Sequence, residues 1–401
     1  MNGALQHIYV HVPFCSGKCA YCAFYSEPYS QRSAAEWLRA FEREFDLRLR
    51  EAGVRRAAPE TVYFGGGTPG LLPAAQLARL CEAVLTRIET RELREWSVET
   101  NPGTLDAEAV RVLTGNGVNR VSVGVQSFDD AILKMLGRRH TAAQAAETLD
   151  LLRAGGIGNV GIDLIASLPG VDRAAWEQAL RTAAGLDPAH VSVYTLTPEP
   201  GTELSRQLDA GTLRLPDEDS QLIDLRTAER VLEEAGYERY EISNYARPGR
   251  ACLHNVAFWR GEGYLGLGPA AVSRAGRRRR TNAPHLHGYL AALNEEKPPP
   301  GEEDELAAED DLAERAAFAL RLREGLDPRE LSGRYGAASV GMAAAWRERL
   351  AYLAEHSLVV KYGDRWVATP RGWELADTLA AVLWGDMPEC AKAGFARNPS
   401  L

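Results

Sequence analysis

Three thiols stand close together near the start of this 401-residue chain: Cys15, Cys19 and Cys22, in the run CSGKCAYC. Spacings of four and three residues mark a shared inorganic or redox centre. A structural zinc ion takes four ligands, and neither a second Cys pair nor a nearby His pair supplies the rest. A Cys-x-x-Cys redox pair would leave Cys15 surplus. A cubane iron-sulfur cluster uses all three thiolates, one per iron, and leaves its fourth iron open to a reactant. Zinc and unrelated thiols stand as the alternatives. The other cysteines, Cys81, Cys252 and Cys390, are scattered. The opening MNGALQHIYVHVPFC lacks the basic start and apolar core of a secretory signal. A cytoplasmic protein is therefore expected, in which crowded thiols make a metal or redox site rather than a disulfide framework.

Such a loop needs a scaffold, and from His7 to about residue 236 the chain repeats one pattern. A short β-branched run is followed by a polar or Gly/Pro turn, then by a helical stretch rich in Ala, Leu, Glu and Arg. The strand runs are HIYVHV, TVYF, EWSVE, NRVSVGV, NVGIDLI and HVSVYTL, and helices start near Ala34, Ala74, Asp106, Ala142, Arg173 and Asp219. This alternation predicts a parallel sheet with right-handed crossovers. Within the strands, Val121, Val123 and Val125 alternate with Ser122, Gly124 and Gln126. Val160, Ile162 and Leu164 alternate with Gly161 and Asp163, and Ile8, Val10 and Val12 with His7, Tyr9 and His11. Successive side chains point to opposite faces, so one face is oily and the other small or polar. A doubly wound sheet needs both faces apolar, and a closed eight-stranded barrel fills its lumen with branched aliphatics. The pattern predicts a partial six-unit TIM-like α/β barrel over residues 1–236. It is apolar beneath its helices and polar around a wide cavity, with the thiols on a loop at the C-terminal mouth.

The same parity turns Glu99, Gln126 and Asp163 toward that cavity. The run YFGGGTP places Gly66, Gly67 and Thr68 at the end of the second strand, where glycines let a ligand approach the backbone and use its amides. A cationic, ribose-bearing ligand with an amino-acid end suits this mixture. Carboxylates would take its ammonium and ribose hydroxyls, and the Gly amides with Arg138 would take its carboxylate.

Composition limits the partners. With 46 basic against 55 acidic residues and a net charge of -9, no surface devoted to nucleic acid or anionic lipid is expected. No window approaches about 18 uninterrupted apolar residues, so no membrane span is expected. Residues 237–294 read as a strand-rich extension without helices. Residues 295–305, EEKPPPGEEDE, read as an extended, solvated linker, and the Arg277 to Arg280 run as a solvated loop. Residues 306–401 begin with three helical patterns and continue into SLVVKYGDRWVATPRG, a winged-helix-like α+β domain whose fold alone carries no function.

CxxxCxxC after the first strand, followed in order by GGGTP, ETNP, GVQSF, GRRH and IDLIASLPG, resembles the radical S-adenosylmethionine (SAM) superfamily. Within it the likeness is to the oxygen-independent coproporphyrinogen oxidase group, from about His7 to Pro269, and the C-terminal region resembles that group's accessory domain. The resemblance implies a [4Fe-4S] cluster on Cys15, Cys19 and Cys22, with SAM chelating the fourth iron through its amino and carboxylate groups. It implies a reductant for the cluster and an electron that cleaves SAM to methionine and a 5′-deoxyadenosyl radical. It also implies that Tyr9 and Tyr21 line the SAM pocket and that Gly66, Gly67 and Thr68 contact the methionine end. Glu99, Gln126, Arg138 and Asp163 would hold the remaining polar groups.

Members of the group that oxidise coproporphyrinogen carry a fourth cysteine two residues after the third, and an N-terminal extension. Here Phe24 stands in that place and six residues precede His7. In both respects the chain resembles the group's haem-chaperone branch. That branch also carries an HNxxYW motif, matched by HNVAFW from His254 to Trp259 with Phe258 replacing the Tyr. The implied function is binding of haem and its transfer to an acceptor protein. The alternatives are radical oxidation of coproporphyrinogen III, or a radical SAM enzyme acting on another substrate. His254 is the candidate axial haem ligand, since imidazole binds iron well. A hydrogen-bonded histidine beside a packed Trp259 is the plainer reading, and Cys252 is a second candidate ligand.

Overall fold

Strand parity is realised as a sheet with one covered face. The computed structural model describes residues 5–335 and 338–385. The six expected strands are β1 (His7–Val12), β2 (Thr61–Gly66), β3 (Glu95–Thr100), β4 (Arg120–Gln126), β5 (Asn159–Ala166) and β6 (His190–Thr195), each parallel to the next. Their oily side chains, from Ile8, Val10 and Val12 through Val121, Val123 and Val125 to Val191 and Val193, are all buried. Between and after them lie α1 (Gln31–Glu51), α2 (Ala74–Leu85), α3 (Ala107–Gly115), α4 (Asp130–Met135), α5 (Ala142–Ala154), α6 (Arg173–Gly185), α7 (Glu203–Asp209) and α8 (Glu218–Glu234), of which α1, α2, α3, α5, α6 and α8 share the core with the oily side chains. On α1, Trp37, Leu38, Phe41, Phe45 and Leu49 recur at helical spacing and form the buried stripe. Most helices begin at a side-chain cap: the carboxylates of Asp106, Asp172 and Asp217 accept amides of the first turn, and Thr141 with Gln144 forms a reciprocal capping box. The short α4 and α7, which the sequence pattern did not separate out, are capped in the same way by Asp129 and Thr202.

Three expectations need correction. The segment after Gly236 does extend the sheet, but at both edges and with helices. The strands β7 (Glu238–Glu241) and β8 (Asn244–Ala246) follow β6, whereas β9 (Tyr264–Leu267) pairs in parallel with β1 and leads to β10 (Val272–Ala275), β11 (Arg278–Asn282) and β12 (Gly301–Glu305). The order β12-β11-β10-β9-β1-β2-β3-β4-β5-β6-β8-β7 is an open twelve-stranded sheet. Two helices intervene, α9 (Leu253–Trp259) and α10 (Leu286–Asn294). The first has no side-chain cap of its own, since Cys252 fills that position. The distant Glu95 serves instead, its carboxylate accepting the amides of Leu253 at 3.0 Å and His254 at 3.2 Å, so no local pattern announces the helix.

The acidic linker and the arginine run are the other two, and they correct each other. Gly301–Glu305 is an edge strand paired with Arg278–Asn282. Arg277 and Arg278 meet Glu305, Arg280 meets Glu303, and Arg279 meets Glu314. Opposite charge joins two segments that each read as solvated when taken alone.

The C-terminal region contains α11 (Ala308–Arg321), α12 (Pro328–Tyr335) and α13 (Ala338–Glu355). A two-stranded wing follows, β13 (Val359–Tyr362) and β14 (Arg365–Ala368), and then α14 (Pro370–Glu374) and α15 (Ala376–Trp384). Leu312, Leu320, Leu350, Leu353, Leu358, Leu379 and Val382 share its separate core. Cys390 lies outside the described residues. The region docks on the sheet through buried charge: Arg274 of β10 binds Asp311 and, at 2.6 Å, Glu314, while Arg315 binds Asp311 at 3.1 Å and the Gly261 carbonyl. Phe258 and Trp259 of α9 pack on Phe318, with ring centroids 5.5 and 5.3 Å away, and Arg321 lies over the Trp259 ring at 4.2 Å.

Arg274→Met should remove the buried cation that Asp311 and Glu314 share, a loss of at most about 3–5 kcal/mol because Arg315 and Arg279 still face them. Faster limited proteolysis around residue 306, with the barrel intact, is the expected result.

Candidate functional site

The polar face of the sheet encloses a cavity of about 880 Å³. Cys15, Cys19 and Cys22 line it, with Tyr21 and Phe24 beside them. Phe14–Cys15 pairs with Glu27–Pro28, and the two short helices hold the middle of the thiol loop. The Ala20 amide donates to the Leu136 carbonyl just after α4 at 2.9 Å, and the Leu204 amide in α7 donates to the Ala20 carbonyl at 2.8 Å. Cys15 Sγ lies 3.3 Å from Thr68 Oγ1, and Arg138 Nη1 points at Cys19 Sγ from 3.7 Å. Burial pushes the Cys22 thiol up, so loading a metal there must displace a proton. Among the described residues no three His, Cys, Asp or Glu groups converge on a single ion position. Three soft donors spread over one loop suit a polynuclear cluster, which takes one thiolate per iron.

Gly66, Gly67 and Thr68 also line the cavity. Gly66 sits at φ 101°, and a Cβ there would come within 2.6 Å of the His11 ring; one on Gly67 would come within 2.5 Å of the Phe14 carbonyl. Only glycine fits this turn. The amides expected to serve an incoming carboxylate already have partners within the protein. Gly66 donates to Glu99 at 3.2 Å, Gly67 to the Val12 carbonyl at 2.9 Å, and Thr68 to the Phe14 carbonyl at 2.7 Å. The glycines therefore let the turn pack closely on His11 and Phe14.

Arg138 lines the cavity as well. Its Nη2 donates to Asn101 Oδ1 at 2.6 Å and to the Gly124 carbonyl, while its buried Nε has no partner. Asn101 also donates to Thr68 Oγ1 at 2.9 Å, so it ties the glycine turn to the arginine. Sequence reasoning passed over this residue although it stands within the ETNP motif. Gln126 lines the cavity from a φ of 68°, where the β4–β5 register slips between Gly124 and Gln126. Such a bulge re-aims a side chain at the end of a strand, at some cost in backbone strain.

Glu99 accepts the Tyr63 hydroxyl at 2.8 Å, and burial outweighs that bond and pushes its carboxyl up to about 7. Burial also pushes Asp163 up, against hydrogen bonds from Ser192 and Ser122, the latter at 3.3 Å. Two carboxylates that water no longer stabilises favour a cationic guest.

Tyr9 and His254 stand apart from the lining. Tyr9 is on the expected face of β1 but stacks on Tyr63, 6.2 Å between centroids. His254 is partly exposed on α9, with Nδ1 2.8 Å from Thr61 Oγ1 and its ring 5.1 Å from Tyr63. Burial, with His7 and Arg120 nearby, holds its imidazole down at about 3. It is therefore neutral, the form that ligates iron. Cys252 is fully buried, faces Glu95 Oε1 at 3.4 Å and has its thiol pushed up to about 12. It packs as a small buried thiol away from the cavity lining. Tyr63, Ser192 and Arg120, which the sequence reading missed, also line the cavity; carrying the alternation along β2, β4 and β6 to these positions would have marked their face.

The chain has clear relatives. The radical SAM superfamily profile matches residues 9–183 and the HemN C-terminal domain profile residues 306–375. The haem chaperone HemW of Lactococcus lactis is 31% identical over 371 residues, covering 92% of this chain and 95% of that protein. HemW of Mycobacterium tuberculosis is 34% identical over 392 residues, covering 96% of each. Among solved structures, coproporphyrinogen III oxidase (HemN) from Escherichia coli superposes with a TM-score of 0.80 at 23% identity, over 94% of this chain and 89% of that one. That likeness establishes the fold.

Glu99 yields a prediction for the ligand-free protein. A folded-state value near 7, above the ordinary 4.5, means that ionisation costs stability increasingly as pH rises from the ordinary value through 7. Glu99→Gln removes that cost. Its gain in melting temperature over wild type should be larger at pH 8 than at pH 5.

Proposed function

The chain belongs to the radical SAM superfamily, in the branch of the HemW haem chaperones, and on that footing we propose that it is itself a haem chaperone. It binds haem and a SAM-liganded [4Fe-4S] cluster in the cytoplasm and passes haem to an acceptor protein. One observation carries this reading: the resemblance to HemW runs over nearly the full length of both chains. The replacement of a fourth cysteine by Phe24 agrees with it. Among the described residues no helix is long and apolar enough to cross a membrane.

The residues fit the implied groups. Cys15, Cys19 and Cys22 would hold the cluster, and Gly66, Gly67 and Thr68 line the cavity beside them. When loaded, the cluster supplies an electron and one open iron to SAM. Glu99 and Asp163 would take the ribose and ammonium groups, while Arg138, braced by Asn101, would take the carboxylate. Gln126, set by its bulge, would reach the same ligand. Tyr21 closes the thiol loop against water. Tyr9 acts from one layer below by packing Tyr63, which in turn holds Glu99. His254 would offer its Nε2 to haem iron, because Nδ1 is engaged by Thr61.

Anaerobic reconstitution should give about four irons per chain, one per cubane corner. Cys22→Ala should lose the cluster absorption yet keep the far-ultraviolet dichroism of the fold; a folded variant with an unchanged cluster spectrum would refute the ligand assignment. Haem should bind near one per chain and His254→Ala should shift its Soret band. On the same preparation, reduced and supplied with SAM and coproporphyrinogen III, no protoporphyrinogen should form. Turnover there would favour the oxidase instead.

A further inference from the structure

At its floor the cavity carries a cation two of whose nitrogens the fold leaves without hydrogen bonds. Arg120 opens β4 and is 1% exposed, yet it lines the cavity, and its Nε and Nη1 are buried without a hydrogen-bond partner. The carboxylates around it are already engaged. Glu95 takes two amides of α9 and faces the Cys252 thiol. Glu99 and Asp163, held by Tyr63 and Ser122, stand nearer the mouth at the registers of Ser122 and Gly124. A buried guanidinium short of partners is rare in a folded protein and marks a place where something else completes it. Six residues of extended strand separate Arg120 from Gln126, about 20 Å, so this cation lies deep beneath the group at the mouth. Ser192 and Asn255 line the cavity with it.

We propose that Arg120 anchors a second subsite, which receives a carboxylate of a ligand lying beneath the SAM pocket. A guanidinium presents planar N–H donors that match a carboxylate. The identity of the ligand rests on the haem-chaperone reading, since haem carries two propionates; the subsite itself rests on the cavity and the unpaired guanidinium.

Iron-free protoporphyrin IX carries the propionates without the metal, so ligation by His254 does not enter, and its dimethyl ester lacks both charges. Each is titrated by fluorescence against the cluster- and SAM-loaded protein. Wild type should prefer the acid to the ester by about tenfold or more, the size of one hydrogen bond to a charged group. Arg120→Met should abolish the preference and Arg120→Lys should keep part of it. Equal affinity for acid and ester in wild type, or a preference that survives Arg120→Met, overturns the proposal. Circular dichroism reports whether the variants fold; if Arg120→Met does not, the wild-type preference and Arg120→Lys decide. Should wild type bind neither porphyrin, the haem reading fails and glutarate decides the subsite. A saturable rise in melting temperature that Arg120→Met or Arg120→Lys reduces supports it, and no rise in wild type overturns it.

Discussion

A parallel sheet that is covered on one face only must do something with the other. Helices bury the valines and isoleucines of β1 to β6, and this side supplies the apolar burial that holds the barrel together. The opposite face carries Tyr63, Glu99, Ser122, Gln126 and Asp163. No hydrophobic core could absorb that set without leaving polar groups unpaired. An open, curved sheet around a cavity satisfies both faces at once. The thiol loop and the glycine turn follow from it, because the strand ends at the mouth are where backbone is free to vary while the strands stay fixed.

Burial at the closed end works differently. There the polar groups pair across long stretches of chain: Glu95 caps α9, and Thr61 joins His7 to His254. The same α9 turns Asn255 into the cavity and Phe258 with Trp259 against Phe318. A seven-residue helix thus touches the binding cavity on one side and the C-terminal region on the other, and its position is set by a carboxylate on β3.

What the sequence made legible was whatever repeats or sits close along the chain. Alternation located the six strands, the oily face and the lining residues Glu99, Gln126 and Asp163, and spacing singled out the three cysteines. The misread parts depend on partners distant in sequence. The helix at HNVAFW is capped by Glu95, more than 150 residues earlier. The Arg run and the acidic segment became strands only against each other. The amides of the glycine turn looked available until the Phe14 and Val12 carbonyls were found to occupy two of them. Arg120 was in plain sight at the start of NRVSVGV, but a strand's first residue gives no hint of whether its side chain finds a partner.

An open twelve-stranded sheet has two raw edges, and unpaired edges invite a second copy to add its own strand. At the β7 edge the C-terminal region intervenes: the Arg323 amide donates to the Tyr240 carbonyl at 2.9 Å, and Leu322 bridges Glu241. At the other edge, β12 exposes Glu302, Glu303, Asp304 and Glu305 in succession. Two such strands brought side by side would set like charges against like. The segment that looked like a spacer is thus a charged edge strand, of the kind that makes a sheet edge a poor template for another strand.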